Sequence, residues 1–234
     1  MDPQQRLLLE VTWEALEEAC LDPVRLKGSL TGVFTGITQQ DYLQLQRDAQ
    51  SAEDIYTGTG SGFSFACGRI SHEYGFKGPS IAVETACSSS LVAVHLACRS
   101  LQQLESNLAL AGGVQLILNG KTERLLETTG VLSPDGRCRS FSSDAAGYGR
   151  SEGCGLVVLK RLTDAQRDGD RIRAVIRASA VNHNGPGAGL TAPVGKAQAA
   201  VMKRALSLSG VRPEQVGMVE AHGGGAPLGD ALEW

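Results

Sequence analysis

Ser80-Ile81-Ala82-Val83-Glu84-Thr85-Ala86-Cys87-Ser88-Ser89-Ser90-Leu91 is a short apolar run that passes through a cluster of small residues into a helical apolar pattern. Ile81 to Val83 read as a buried strand. Leu91, Val94, Leu96, Ala97 and Leu101 recur at roughly helical spacing, which puts Cys87 at the turn where a helix begins, its sulfur facing the helix's positive end. That end favours an anion by about 0.3 to 1 kcal/mol. Most free cysteines are small buried apolar residues. Ala86 and the three serines tip the balance, because a sharp strand-to-helix elbow excludes bulky neighbours, as in the serine elbow of hydrolases. Cys87 is therefore the candidate nucleophile. Ser88, Ser89 and Ser90 read as capping and packing residues of the helix start, without a catalytic role.

Working outward, Asp2 caps a first helix with Pro3 in its first turn, and Leu8, Val11, Ala15 and Ala19 form its apolar stripe. Val24 onward is a connection. Leu30 to Gly36 reads as a strand, Asp41 to Arg47 as a helix and Gln50 to Gly62 as a polar, glycine-rich loop. Gly58, Gly60 and Gly62 lack the G-x-G-x-x-G spacing and the preceding strand of a dinucleotide cradle. Phe63 to Tyr74 is helical, Ser80 to Val83 is the strand before the elbow, and Leu108 to Gly112 is another strand, with Gln115 to Leu118 continuing it. The order β, α, β, α, β favours a sheet with helices on both faces, an α/β fold. Cys154 to Leu162 completes this unit. A boundary falls in the charged segment 164–170, dividing residues 1–165 from 166–234. Beyond it, Ile172 to Val181 reads as a strand, Lys196 to Leu208 as a helix and Val216 to Ala221 as a further strand.

Composition permits this fold and excludes several functions. The 234 residues are 42% hydrophobic and only 5% aromatic, with 29 glycines, which suits a globular α/β protein. The net charge of −3 comes without a basic block, so neither a nucleic-acid partner nor an anionic membrane is indicated. Six cysteines, at 20, 67, 87, 98, 138 and 154, show no C-x-x-C pair and no zinc-like spacing, which fits a reducing, cytoplasmic compartment and no bound metal. No apolar run is long enough for a membrane span. Met1-Asp2-Pro3-Gln4-Gln5 lacks the regions of a secretory signal.

Glu84-Thr85-Ala86-Cys87-Ser88-Ser89-Ser90-Leu91 resembles the active-site motif of β-ketoacyl synthases, especially the ketosynthase domains of modular polyketide synthases. Met1-Asp2-Pro3-Gln4-Gln5-Arg6-Leu7-Leu8-Leu9-Glu10, Pro134-Asp135-Gly136-Arg137-Cys138, Asn182-His183-Asn184-Gly185 and Val219-Glu220-Ala221-His222-Gly223 follow in that family's order. The resemblance implies the thiolase fold, two similar halves in which two sheets sandwich a helix layer. Residues 1–165 correspond to the N-terminal half without its first strand, and residues 166–234 to the start of the C-terminal half. It also implies the chemistry. An acyl group passes from the phosphopantetheine of an acyl carrier protein to Cys87, a malonyl-type extender loses CO₂, and the enolate attacks the acyl thioester to give a β-ketoacyl thioester. No bound cofactor is expected. The Cys87 N–H would supply part of the oxyanion hole.

His222 follows a strand and precedes Gly223-Gly224-Gly225, which allows close approach of a ligand. Alone it reads as a turn histidine. By the resemblance it matches the first of two histidines that hydrogen-bond the extender's thioester carbonyl. His183 is read as structural, and His95 sits two turns down the elbow helix, too far to act on the Cys87 sulfur. Some positions depart from the family. Gly224 and Ala226 stand where H-G-T-G-T has threonines, which weakens the hold on the carrier arm, and Ser142, Ala146 and Ala231 replace the usual Asp, Asp and Pro. The chain stops at Trp234, before the family's lysine, second histidine and glycine-rich oxyanion segment, so this chain alone is expected to condense weakly or not at all. The family usually forms homodimers, expected for the intact domain. Two other classes remain: a catalytically silent scaffold with Cys87 packed, and a Cys/His thioester hydrolase, which lacks a recognisable third orienting residue.

Overall fold

The computed structural model describes residues 1–50 and 54–233. In chain order the elements are α1 (Pro3–Glu18), α2 (Pro23–Leu26), β1 (Thr31–Gly36), α3 (Asp41–Asp48), α4 (Ile55–Ser61), α5 (Phe63–Tyr74), β2 (Ser80–Val83), α6 (Ser89–Gln102), β3 (Leu108–Gln115), α7 (Lys121–Thr128), β4 (Gly153–Leu159), α8 (Leu162–Asp168), α9 (Gly195–Ser209) and α10 (Pro227–Glu233). A one-turn 3₁₀ helix, Ala86–Ser88, leads into α6. The chain divides into two compact units, one of residues 1–119 and 151–175, the other of 120–150 and 176–234.

The first unit is built on a sheet of order β2-β1-β3-β4, in which β1 is parallel to β2 and β3 and β4 runs antiparallel to β3. Alternation along the strands sends Val33, Leu110 and Val114 to one face, where they pack with Leu8 and Leu16 of α1 and Ile70 of α5. Phe34, Ala109 and Ala111 point to the other face, against Ala93, Ala97 and Leu101 of α6. Each large side chain fully buried in these layers contributes about 1.5 to 3 kcal/mol relative to exposure. The expectation of helices on both faces of a βαβ sheet is met.

Small residues set the spacing on the α6 face. A Cβ on Gly36 would lie 2.7 Å from the Ser90 nitrogen and 2.8 Å from the Ser89 carbonyl carbon, and one on Gly113 would lie 3.0 Å from the Ser90 Cβ; between strands, one on Gly112 would lie 1.9 Å from the Gly155 oxygen of β4. The first turn of α6 therefore rests directly on the ends of β1 and β3. Its buried face is Ser89, Ala93, Ala97, Ser100 and Leu101, whereas Leu91 is 74% exposed. Of the expected stripe, Ala97 and Leu101 are buried and Val94 and Leu96 pack partly buried against the same cluster, while Leu91 is corrected to an outward residue.

Other readings change as well. β2 forms over Ser80–Val83 but lies at the sheet's edge, so only Val83 is buried and Ile81 is 41% exposed. α1 buries Gln4, Gln5, Leu8, Thr12 and Leu16 in place of the Val11, Ala15 and Ala19 stripe. Its two glutamines are accommodated by hydrogen bonds, their amides donating to backbone carbonyls of distant loops, whereas the buried Thr12 hydroxyl meets no partner. The segment after Pro23 begins with the single turn of α2. Within the expected loop 50–62, residues 51–53 lie outside the described residues, and Asp54 closes a capping box that starts α4. Gly60 sits in that helix because the Met1 backbone passes 3.1 Å from where its Cβ would be.

In the second unit α9 forms as expected. The stretches 172–181 and 216–221 are not strands among the described residues, because the chain forms no backbone ladder to them there. Periodicity selects a face, while a strand also needs a hydrogen-bonding neighbour.

Gly36→Ala and Gly112→Ala are expected to lower stability by about 1 to 3 kcal/mol through overpacking. Gly155→Ala, where an added Cβ meets nothing within 4 Å, stays within about 0.5 kcal/mol. Urea denaturation midpoints measure the difference.

Candidate active site

Cys87 sits in the 3₁₀ turn between β2 and α6, and its side chain is exposed. The residue before it, Ala86, has φ +52°, a left-handed conformation costly for a side chain with a Cβ. Hydrogen bonds from both flanks hold it. Ala86 N–H donates to the Glu84 carboxylate (3.0 Å) and Thr85 N–H to the Ser89 hydroxyl (2.9 Å). The Ser89 hydroxyl donates to the Ala86 carbonyl (2.6 Å) and the Ser88 hydroxyl to the Thr85 carbonyl (2.8 Å). Ser88 and Ser89 thus bond the elbow's own backbone, and the expected capping is not seen, since Ser88 at the N-cap of α6 makes no side-chain cap bond.

The sulfur opens onto a groove of about 410 Å³. Glycines 36, 112, 113, 153 and 155 border it, along with Leu91, Val94 and Val157, and Thr38 from the loop after β1. Backbone N–H groups at the start of α6 are those a helix leaves without internal acceptors, which suits stabilisation of negative charge beside the sulfur. Three other thiols differ in environment. Burial pushes Cys67, Cys98 and Cys154 up, Cys154 to about 11 with a smaller contribution from Glu14.

His222 lies in the second unit, exposed, in the segment that leads into α10. The glycines after it make the turn: Gly223 has φ +54° and Gly225 φ +73°, and a Cβ on Gly225 would meet the Gly147 oxygen at 2.7 Å. Asp230, buried in α10, is the residue that sequence reasoning missed. One carboxylate oxygen accepts from Gly225 N–H (3.1 Å) and the other from Phe141 N–H (2.7 Å), which ties the His222 loop to the segment around Phe141. Gly223 N–H donates to Glu233 (2.9 Å), and the Ser140 hydroxyl donates to the Gly223 carbonyl. An acidic residue in the first turn of a helix reads as an ordinary cap, so only the contact with Phe141, 89 residues away, reveals its second role. His183 accepts from Gly185 N–H through Nδ1 (2.9 Å). Cys87 and His222 belong to different units, and each is placed only within its own. Among the described residues, no group of three His, Cys, Asp or Glu side chains is arranged to hold a metal ion, and no helix is long and apolar enough to cross a membrane.

An exposed thiol on a strained strand-to-helix elbow of a mixed α/β sheet marks a protein that presents a cysteine nucleophile. Residues 1–165 match the beta-ketoacyl synthase N-terminal domain and residues 173–234 its C-terminal domain, so the chain belongs to the β-ketoacyl synthase family of acyl-transferring enzymes. It is 52% identical over all its 234 residues to a phenolphthiocerol/phthiocerol polyketide synthase of Mycobacterium tuberculosis, and 51% identical to a mycocerosic acid synthase-like polyketide synthase of Mycolicibacterium smegmatis. It spans 15% and 11% of those proteins. Among solved structures, the oxazolomycin ketosynthase domain of Streptomyces albus superposes with TM-score 0.93 at 40% identity, covering 99% of this chain and 40% of that one. The ketosynthase from module 6 of the bacillaene synthase of Bacillus subtilis gives 0.92 at 38%, covering 100% and 40%. The fold is thiolase-like.

Two outcomes test this geometry. Iodoacetamide at pH 8 labels Cys87, Cys20 and Cys138 and spares Cys154, whose thiolate fraction at that pH is about 0.1%; Cys154 reacts only as pH rises towards 11, which peptide mass mapping follows. Asp230→Ala speeds amide exchange at Phe141 and Gly225 roughly tenfold to a hundredfold, equivalent to about 1.5 to 3 kcal/mol for bonds to a charged acceptor.

Proposed function

We infer that the chain accepts an acyl group on Cys87 and takes part in decarboxylative condensation with a malonyl-type extender carried by an acyl carrier protein. The observation that carries this reading is the exposed Cys87 sulfur at an elbow whose neighbouring hydroxyls are committed to the turn. The Cys87 thiolate attacks the carbonyl of an acyl thioester, negative charge on the carbonyl oxygen is met by N–H groups at the start of α6, and the carrier's thiolate leaves. The extender's carboxylate then departs as CO₂, leaving its electron pair as an enolate, and His222 donates a hydrogen bond to the thioester oxygen that gains charge. The enolate carbon attacks the acyl-Cys87 carbonyl. The Cys87 thiolate leaves, and a β-ketoacyl thioester remains on the carrier.

The rest of the reading follows from family membership. The substrates ride on phosphopantetheine, the partner is an acyl carrier protein, and the intact domain is a homodimer in polyketide or fatty acid biosynthesis. The matches to residues 1–165 and 173–234 support a division of the chain near residue 165 into parts of an N-terminal and a C-terminal half. Six unpaired thiols support a reducing, cytoplasmic setting. Gly224 and Ala226 in place of hydroxyl-bearing residues support a weaker hold on the carrier arm.

The test offers an acyl thioester and then a malonyl carrier protein, followed by intact-protein and product mass spectrometry. An acyl adduct is expected on Cys87 and none in Cys87→Ala. This chain alone is expected to form that adduct and to condense weakly or not at all, so the second step is read in the intact domain, where His222→Ala is expected to keep the adduct while losing β-ketoacyl product about a hundredfold or more, the scale of one lost charge-stabilising donor. Release of free acid dependent on both residues would point to a hydrolase, and absence of any adduct to a silent scaffold. Either result overturns the reading.

A further inference from the structure

The groove beside Cys87 is bordered by loops that leave the carboxyl ends of the parallel strands, the position where open α/β sheets place their ligands. Two of these loops are joined by buried side chains: Asp41 accepts from Leu118 N–H (3.1 Å) and Asn119 N–H (3.3 Å) at their far ends, and Gln4 joins them nearest the groove. Gln4, in the first turn of α1 and 1% exposed, donates from Nε2 to the Gln39 carbonyl in the loop after β1 (2.9 Å). Its Oε1 accepts from Leu116 N–H, just past the end of β3 (3.3 Å). Asp2 orients it, accepting from the Gln4 backbone N–H (2.8 Å) and from Nε2 (3.2 Å). Thr38 and Gln115, the chain neighbours of the two clamped residues, line the groove. Ile37, at the root of the first loop, donates its N–H to the Val83 carbonyl (3.1 Å), four residues before Cys87.

A carboxamide suits this place as no other side chain of its length does. It carries a donor and an acceptor on one planar group, so it satisfies a carbonyl and an N–H at once without bringing charge beside the Asp2 carboxylate. Glutamate would keep the acceptor for Leu116, lose the donor for Gln39 and add a negative charge. Leucine would fill similar volume and leave both backbone groups unpaired. The chain neighbours of both backbone partners, Thr38 and Gln115, line the groove that Cys87 borders.

We propose that Gln4 is a positioning residue for the reaction at Cys87, holding the loops after β1 and β3 at the spacing that admits an acyl thioester to the sulfur. This rests on the reading of Cys87 as the acyl-accepting nucleophile. Gln4 touches neither the sulfur nor the acyl group, so its effect falls on reactions that need the groove walls and spares those that need only an exposed thiol.

The experiment compares the wild-type chain with Gln4→Leu and Gln4→Glu. Three rates are read: acylation of Cys87 by S-hexanoyl-N-acetylcysteamine, alkylation of Cys87 by iodoacetamide, and amide exchange at Ile37 and at Leu116. Acylation in Gln4→Leu is expected to fall tenfold or more while alkylation stays within twofold, with faster exchange at both loops. Gln4→Glu keeps protection at Leu116 and loses it at Ile37, the bonded amide at the root of the loop held at Gln39, which serves if the leucine variant does not fold. Equal falls in acylation and alkylation, or unchanged acylation, would overturn the proposal in favour of a purely stabilising role. If the wild-type chain takes no acyl group at Cys87 yet is alkylated there, the functional reading fails. The clamp itself is then judged by exchange alone, and unchanged protection in both loops would overturn it too.

Discussion

The closeness of α6 to the sheet depends on what Gly36 and Gly113 lack. With a Cβ at 36 the Ser89–Ser90 backbone would have to retreat from a 2.7 Å contact, and a Cβ at 113 would stand 3.0 Å from the Ser90 Cβ. Nothing in a packed interior yields easily by that distance. Because β1 and β3 end in glycine side by side, with Gly36 opposite Gly113, the first turn of the helix can sit on the strand ends. The chain coming from β2 has to reach that turn within a few residues, which makes the connection an elbow. Position and exposure of Cys87 follow from that geometry more than from any contact the sulfur makes itself.

The elbow is strained and yet held. A left-handed alanine costs about 1 to 3 kcal/mol. The four hydrogen bonds around Ala86, made by Glu84, Thr85, Ser88 and Ser89, contribute roughly 0.5 to 1.5 kcal/mol each. Their sum exceeds the strain over most of that range, so the turn is stable without help from a ligand. This accounts for Ser88 and Ser89 directly after a thiol that needs no neighbouring hydroxyl for its chemistry. Short side chains that bond their own backbone fit a turn where longer ones would block the groove.

How much of this was legible in the sequence depended on the range of the interaction. The elbow, the Asp2 cap and the strands β1, β3 and β4 rest on residues close together along the chain, and local pattern located them. The inward face of α1 did not follow from its apolar residues, because Gln4 and Gln5 are buried by bonds to Gln39, Leu116, Thr59 and Gly62, all distant in sequence. α4 was hidden by its glycines, one of which exists to admit the Met1 backbone. Residues 172–181 and 216–221 carried the right apolar alternation and formed no ladder among the described residues, since pattern supplies a face but not a partner. At the site, Cys87 was readable from its flanks. Asp230 was not, because its meaning lies in joining Gly225 to Phe141.

Gln4 and Asp230 use the same physical device in separate units. Each is a buried polar side chain that joins backbone groups of segments far apart in sequence, and each holds a loop that carries or borders a candidate catalytic residue. Apolar packing would hold those loops as strongly but less specifically, since the hydrophobic effect has no direction. A buried hydrogen bond has direction, and leaving its partner unpaired costs about 1 to 3 kcal/mol. A loop fixed this way has one favoured register rather than several. For a side chain that must be presented in one orientation, that selectivity outweighs the small net stability such bonds add.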